Sequence, residues 1–263
     1  MPKAVALAAA PVHVPTLSYG PFRLMEAAPW LMLASAMRII AVVVHGLVGL
    51  LAAVCSDIAI FLAFLLAARR MIELADGRTA LGRLSFTEQL ILARRVLVPV
   101  ILMMLAVAMA LAVLGARWTA LQLLYGVDGI AFDQYSAVGM SWSAFLAAVI
   151  LLMVLRAEAG GDATLPAALK ELWQRAACMG PAIVAVAAAD IGLSVVQGMV
   201  RAVVYAFWHV PGSPQLMRTL VFVLFVFGFA SLRLWVTLAI LTFGLRESYR
   251  RGHAMPAPAT EQA

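Results

Sequence analysis

Asp190, Ser194, Gln197 and Arg201 follow one another at steps of four, three and four residues inside the apolar stretch 180–207. On a helix of 3.6 residues per turn this spacing gathers a carboxylate, a hydroxyl, an amide and a guanidinium within roughly 60° of one another. Such a face can fix an ion pair, hold a polar ligand or line a path for one. Ser194, Gly198 and Ala202 run beside it as a row of small residues that lets another backbone approach.

Three more ionisable residues, Arg38, Asp57 and Arg233, interrupt apolar runs elsewhere. Each needs a partner or water, because an unpaired charge in lipid costs on the order of several kcal/mol. Asp190 and Arg233 lie about ten and eleven residues from the same membrane edge, roughly 15 Å at the helical rise. Antiparallel neighbours bring them level, which predicts an Asp190–Arg233 ion pair. The same count places Arg38 and Asp57 within about one turn of each other, as a second pair. Arg201 lies nearer the opposite interface and is expected to snorkel. Full neutralisation makes these charges register pins. Three Arg against two Asp also leaves a positive surplus that suits an anionic small molecule or a lipid phosphate.

Other chemistry is sparse. His45 and His209 sit near one membrane face, His13 and His253 in the tails, and no third ligand accompanies any of them, so neither haem nor metal is expected. Cys55 and Cys178 are isolated thiols in separate apolar segments. The segment "YGVDGIAFDQY" offers Asp128 and Asp133, too few oxygens for a calcium loop. It reads as an interfacial piece with Trp118, Phe132 and Tyr135 at headgroup level. With no nucleophile motif, phosphate loop or acid–base pair in sight, no enzyme and no cofactor are expected.

The elements that position these residues follow from composition. A chain of 263 residues that is 65% hydrophobic and 12% charged has lipid as its solvent, so it is an all-α polytopic membrane protein. Its net charge of +6 is scattered at the ends of apolar runs and forms no stripe, which argues against nucleic acid. Spans are expected over 96–114, 139–156, 180–207 and 219–244, with the last two joined by a turn around Pro211, Gly212 and Pro214. The run from Pro29 to Ala68 fits two spans turning near Gly46 and Gly49; the alternative is a single long helix over 29–68 and five spans in all.

Three segments beginning at Leu17, Leu84 and Leu165 share a layout: an amphipathic turn or more with Arg, then Pro29, Pro99 or Pro181 opening an apolar run. This predicts six transmembrane helices as three hairpins, each preceded by a short amphipathic helix on the cytoplasmic side. The whole of 1–263 is then one membrane domain, with an N-terminal tail over 1–16, hairpins over 17–70, 84–156 and 165–245, and a C-terminal tail over 246–263. The bias of Arg and Lys to one side places both termini in the cytoplasm. Abundant Arg and Ala with little Lys match a GC-rich bacterial genome, hence a bacterial inner membrane. The functional expectation is a non-enzymatic subunit or scaffold of a larger membrane complex, touching anionic lipids and either other membrane subunits or its own copies. The alternative is a transporter or lipid-handling permease for an anionic small molecule or lipid.

Overall fold

The computed structural model describes residues 24–44, 46–76, 86–134, 136–158, 163–209 and 214–250. Both chain tails, with His13, Arg23 and His253, and also His45, Tyr135 and the turn residues Pro211 and Gly212, lie outside the described residues. The described chain is helical: α1 (Leu24–Val43), α2 (Leu47–Asp76), α3 (Phe86–Val113), α4 (Arg117–Leu123), a 3-10 turn (Asp128–Ile130), α5 (Ala137–Glu158), α6 (Leu165–Gln174), α7 (Ala176–Trp208) and α8 (Gln215–Arg250). Five helices among the described residues, α2, α3, α5, α7 and α8, are long and apolar enough to cross a membrane. The protein is therefore a helical integral membrane protein.

The run 29–68 is broken, not continuous. Helix α1 ends at Val43, Gly46 adopts a left-handed φ of 84°, and α2 starts at Leu47 and packs along α1. Only glycine enters that conformation without strain, so the position of the turn is written in the residue type.

Helix α5 is apolar on every side between Phe145 and Leu155, and a helix of that kind has to be surrounded. It is: Leu146 to Val154 are 0–1% exposed, and α3, α6, α7 and α8 pack around it. Helices α7 and α8 form the opposite extreme, pairing with each other while turning Val195, Met199, Val203, Leu220 and Leu224 outward. With no water to penalise those side chains, lipid-facing surface of this kind is the expected exterior of a membrane bundle.

The three-fold layout is corrected in one respect. A separate amphipathic helix, α6, stands before α7, whereas α3 runs from Phe86 straight through Pro99 as one helix. Pro29, Pro99 and Pro181 all lie inside helices and do not open them. A span tolerates an internal proline because neighbouring helices and local adjustment re-satisfy the freed carbonyl. Helix α6 separates from α7 at Arg175, whose φ of −99° and ψ of 13° break the regular helix.

The two ends of the bundle are built differently. At one, called here the α6 end, Glu171 of α6 bridges Arg156 of α5 and Arg175, each at 3.0 Å, and Arg175 donates to Ser248 of α8. At the other, the loop end, α4 and residues 124–134 cap the bundle. Ser136 accepts from the Gly139 amide at the start of α5, and the Trp142 indole donates to the Leu123 carbonyl.

Candidate functional site: a polar cluster under the loop end

The segment 124–134 does not lie flat at an interface. Val127, Ile130, Ala131 and Phe132 are 0–6% exposed, and the segment packs into the space bounded by α2, α5 and α8. Gly129 allows this approach: a Cβ there would come 2.1 Å from the Ser143 hydroxyl of α5. Phe132, expected at headgroup level, is instead buried within the bundle, whereas Trp118 is 73% exposed. The apolar side chains carry the loop inward, and the two aspartates travel with them.

Asp133 thereby meets the polar face of α7. The Arg233 guanidinium of α8 is the centre of the cluster, with the side chain only 1% exposed. Its Nη2 group lies 2.9 Å from Asp133 Oδ1, 2.7 Å from Ser194 Oγ and 3.2 Å from Gln197 Oε1, while Nη1 reaches Asp190 Oδ1 at 3.5 Å. The Ser194 hydroxyl accepts from Arg233 and donates to Asp133 Oδ1 at 2.6 Å. Arg201 closes the far side, with Nη2 3.3 Å from Asp133 Oδ2.

The Asp190–Arg233 pair expected from depth counting is present, but it is the longer of two. The shorter carboxylate partner is Asp133, and Arg201 is held by that same residue and does not only snorkel. Asp190, Ser194, Gln197, Arg201 and Arg233 are brought together in one network. Arg38 and Asp57 form the edge of a neighbouring set.

In that second set Asp57 feels the charges of Asp128 and Arg38 together. The Ser56 hydroxyl donates to Asp128 Oδ1 at 3.0 Å, and the Arg38 Nη2 group donates to the Asp133 backbone carbonyl at 3.3 Å. The Arg38 guanidinium also stands 4.7 Å over the Phe132 ring, a cation–π contact that fixes the loop against α1. The Arg38–Asp57 ion pair expected from the sequence is not formed among the described residues: Arg38 is turned to the Asp133 carbonyl and the Phe132 ring, and its buried Nη1 has no hydrogen-bond partner.

Sequence reasoning left Asp128, Asp133 and Ser56 out of the site. One signal pointed to them: three deep arginines with only two deep aspartates left a charge unmatched. With the loop included, Arg38, Arg201 and Arg233 face Asp57, Asp128, Asp133 and Asp190, so carboxylates outnumber guanidiniums by one. What the arrangement does chemically is hold charge: the loop, α7 and α8 contribute groups that are each other's counter-ions in a low-dielectric interior, where such contacts are strong and their loss is expensive.

Comparison of the chain with protein-family models, with curated proteins and with solved structures returns no match.

Proposed function

We propose that this protein is a non-enzymatic subunit or scaffold of a larger assembly in a bacterial inner membrane, with the α6 end in the cytoplasm. The observation that carries this reading is the burial of Arg233 among Asp133, Ser194, Gln197 and Asp190. A guanidinium surrounded in this way has its fork occupied by the protein itself, and it ties the loop, α7 and α8 into one rigid unit. The long outward faces of α7 and α8 give such a unit a surface for lateral contact in the bilayer.

The transporter reading for an anionic small molecule or lipid uses the same residues, with Asp133 of the loop already engaging two of the three guanidiniums. A thiol reagent separates the two readings. In a background lacking Cys55 and Cys178, Ser194→Cys and Gln197→Cys should resist a water-soluble maleimide in intact membranes, and rapid modification of both would establish a hydrated path. Extraction in mild detergent with chemical cross-linking tests the scaffold itself. Stoichiometric neighbours or self-oligomers are expected, and a solitary monomer would overturn the reading.

A further inference from the structure

The α6 end holds a feature that the charge cluster does not use. Where α6 leaves α7 at Arg175 the two helices diverge from α5, and a groove of about 260 Å³ opens between them, lined by Phe145, Leu169, Leu172, Trp173, Gly180 and Ile183. Gly180 forms open floor: a Cβ there would meet nothing within 4 Å. Trp173 stands 82% exposed at the rim, on a helix whose opposite face buries Ala168 and Glu171. An indole so placed at the end of a bundle is an interface anchor, one side in the acyl region and the N–H among headgroups.

The corner is positively charged. Arg156 and Arg175 both pair with Glu171, and Lys170 adds a further positive charge. The two arginines are engaged with Glu171, while Lys170 is exposed and lies three residues before Trp173, on the same side of α6. The apolar lining suits a hydrocarbon chain, and the exposed ammonium of Lys170 beside it suits a phosphate.

We propose that this groove binds one anionic phospholipid of the adjoining leaflet, its acyl chain over Gly180 and its phosphate beside Lys170. The proposal stands on the membrane setting alone and is independent of the scaffold reading.

The full-length protein in phosphatidylcholine vesicles tests it. A minority of either bromoacyl phosphatidylglycerol or bromoacyl phosphatidylcholine is included, and tryptophan fluorescence of the wild type is compared with Trp173→Phe to isolate the Trp173 signal. Quenching by the anionic lipid should exceed that by the zwitterionic one in proportion to a local enrichment of about fivefold, the effect of one basic side chain near the surface. Lys170→Gln should equalise the two lipids. Gly180→Leu fills open space and should lower Trp173 quenching by both to the level of bulk lipid. Equal quenching by the two lipids in the wild type would overturn the proposal. So would a preference that survives both substitutions, since that marks general adsorption of anionic lipid to the protein.

Discussion

Arg233 and Arg201 share the carboxylate of Asp133, yet their environments differ enough to separate what each contributes. Arg233 has a side chain that is 1% exposed and touches two carboxylates, a hydroxyl and an amide. Arg201 is 40% exposed and reaches Asp133 alone at 3.3 Å. Removing one member of a buried pair leaves its partner charged and unsolvated, at a cost of about 3–5 kcal/mol, while a partly solvated pair contributes about 1 kcal/mol or less. Arg233→Ala should therefore lower the thermal midpoint in detergent severely or prevent folding, and Arg201→Ala should shift it only slightly. Arg233→Lys is expected to fall near the alanine variant, because a single ammonium cannot reach groups on both sides of a planar fork. Equal shifts for Arg201→Ala and Arg233→Ala would show that the two guanidiniums are solvated alike.

At the scale of elements, the α7–α8 hairpin is set by close backbone approach below the charge cluster. A Cβ on Gly244 would lie 2.6 Å from the Ala182 Cβ and 3.4 Å from the Cys178 carbonyl oxygen. Both are fixed to the α7 backbone, so no rotamer change relieves the clash and the helices have to part. Gly244→Ala should destabilise by about 1–3 kcal/mol, the usual range for overpacking. Ala182→Gly in the same chain should restore much of the loss by removing the atom in the way. A thermal-melt series of the two single variants and the double variant checks this; additive losses would place the strain elsewhere.

The loop is the other element with a clear dependence. Asp133 is its strongest link to α7 and α8, through Ser194, Arg201 and Arg233. Asp133→Asn keeps the shape and removes the charge, so amide exchange across 124–134 should accelerate well beyond any change in α5. Uniform acceleration along the chain would mean that the loop and the bundle open as one unit.

These elements also show where the sequence was readable. The polar face of α7 could be found because helical geometry converts spacing into adjacency, and Gly46 marked a turn because few other residues accept its φ. Asp133 could not be found that way. A loop has no period, and its fold into the bundle follows from Phe132, Ile130 and Val127 seeking burial against α5, a tertiary preference with no local signature. Pro99 misled for a related reason: the rule that proline opens a helix comes from water, and a helix inside a membrane bundle has other ways to satisfy the freed carbonyl.

The whole molecule turns on α1. Among the described residues five helices are long and apolar enough to cross, and α1, 20 residues from Leu24 to Val43, decides whether the chain crosses an even or an odd number of times. Its length at 1.5 Å per residue is about 30 Å, the thickness of the hydrocarbon core. Trp30 stacks on Phe86, which aligns the start of α1 with the start of α3, and Ser56 of α2 donates to the Ala34 carbonyl partway along. Arg38, deep in this helix, stands over the Phe132 ring and donates to the Asp133 carbonyl, which ties α1 to the loop inside the bundle. Arg94, Arg95, Arg156, Lys170, Arg175 and Arg246 lie toward the α6 end, against Arg117 and Arg218 toward the loop end. On the proposed reading the positive-inside rule turns the α6 end to the cytoplasm. Crossing of α1 then predicts that epitope tags at the N- and C-termini are both protected in intact spheroplasts and both become accessible on lysis. An N-terminal tag reached from outside, with the C-terminal tag protected, would leave α1 on the surface and the bundle with five spans. In that event Arg38 would lose its place over Phe132 and its bond to the Asp133 carbonyl, and the loop would have to be held without it.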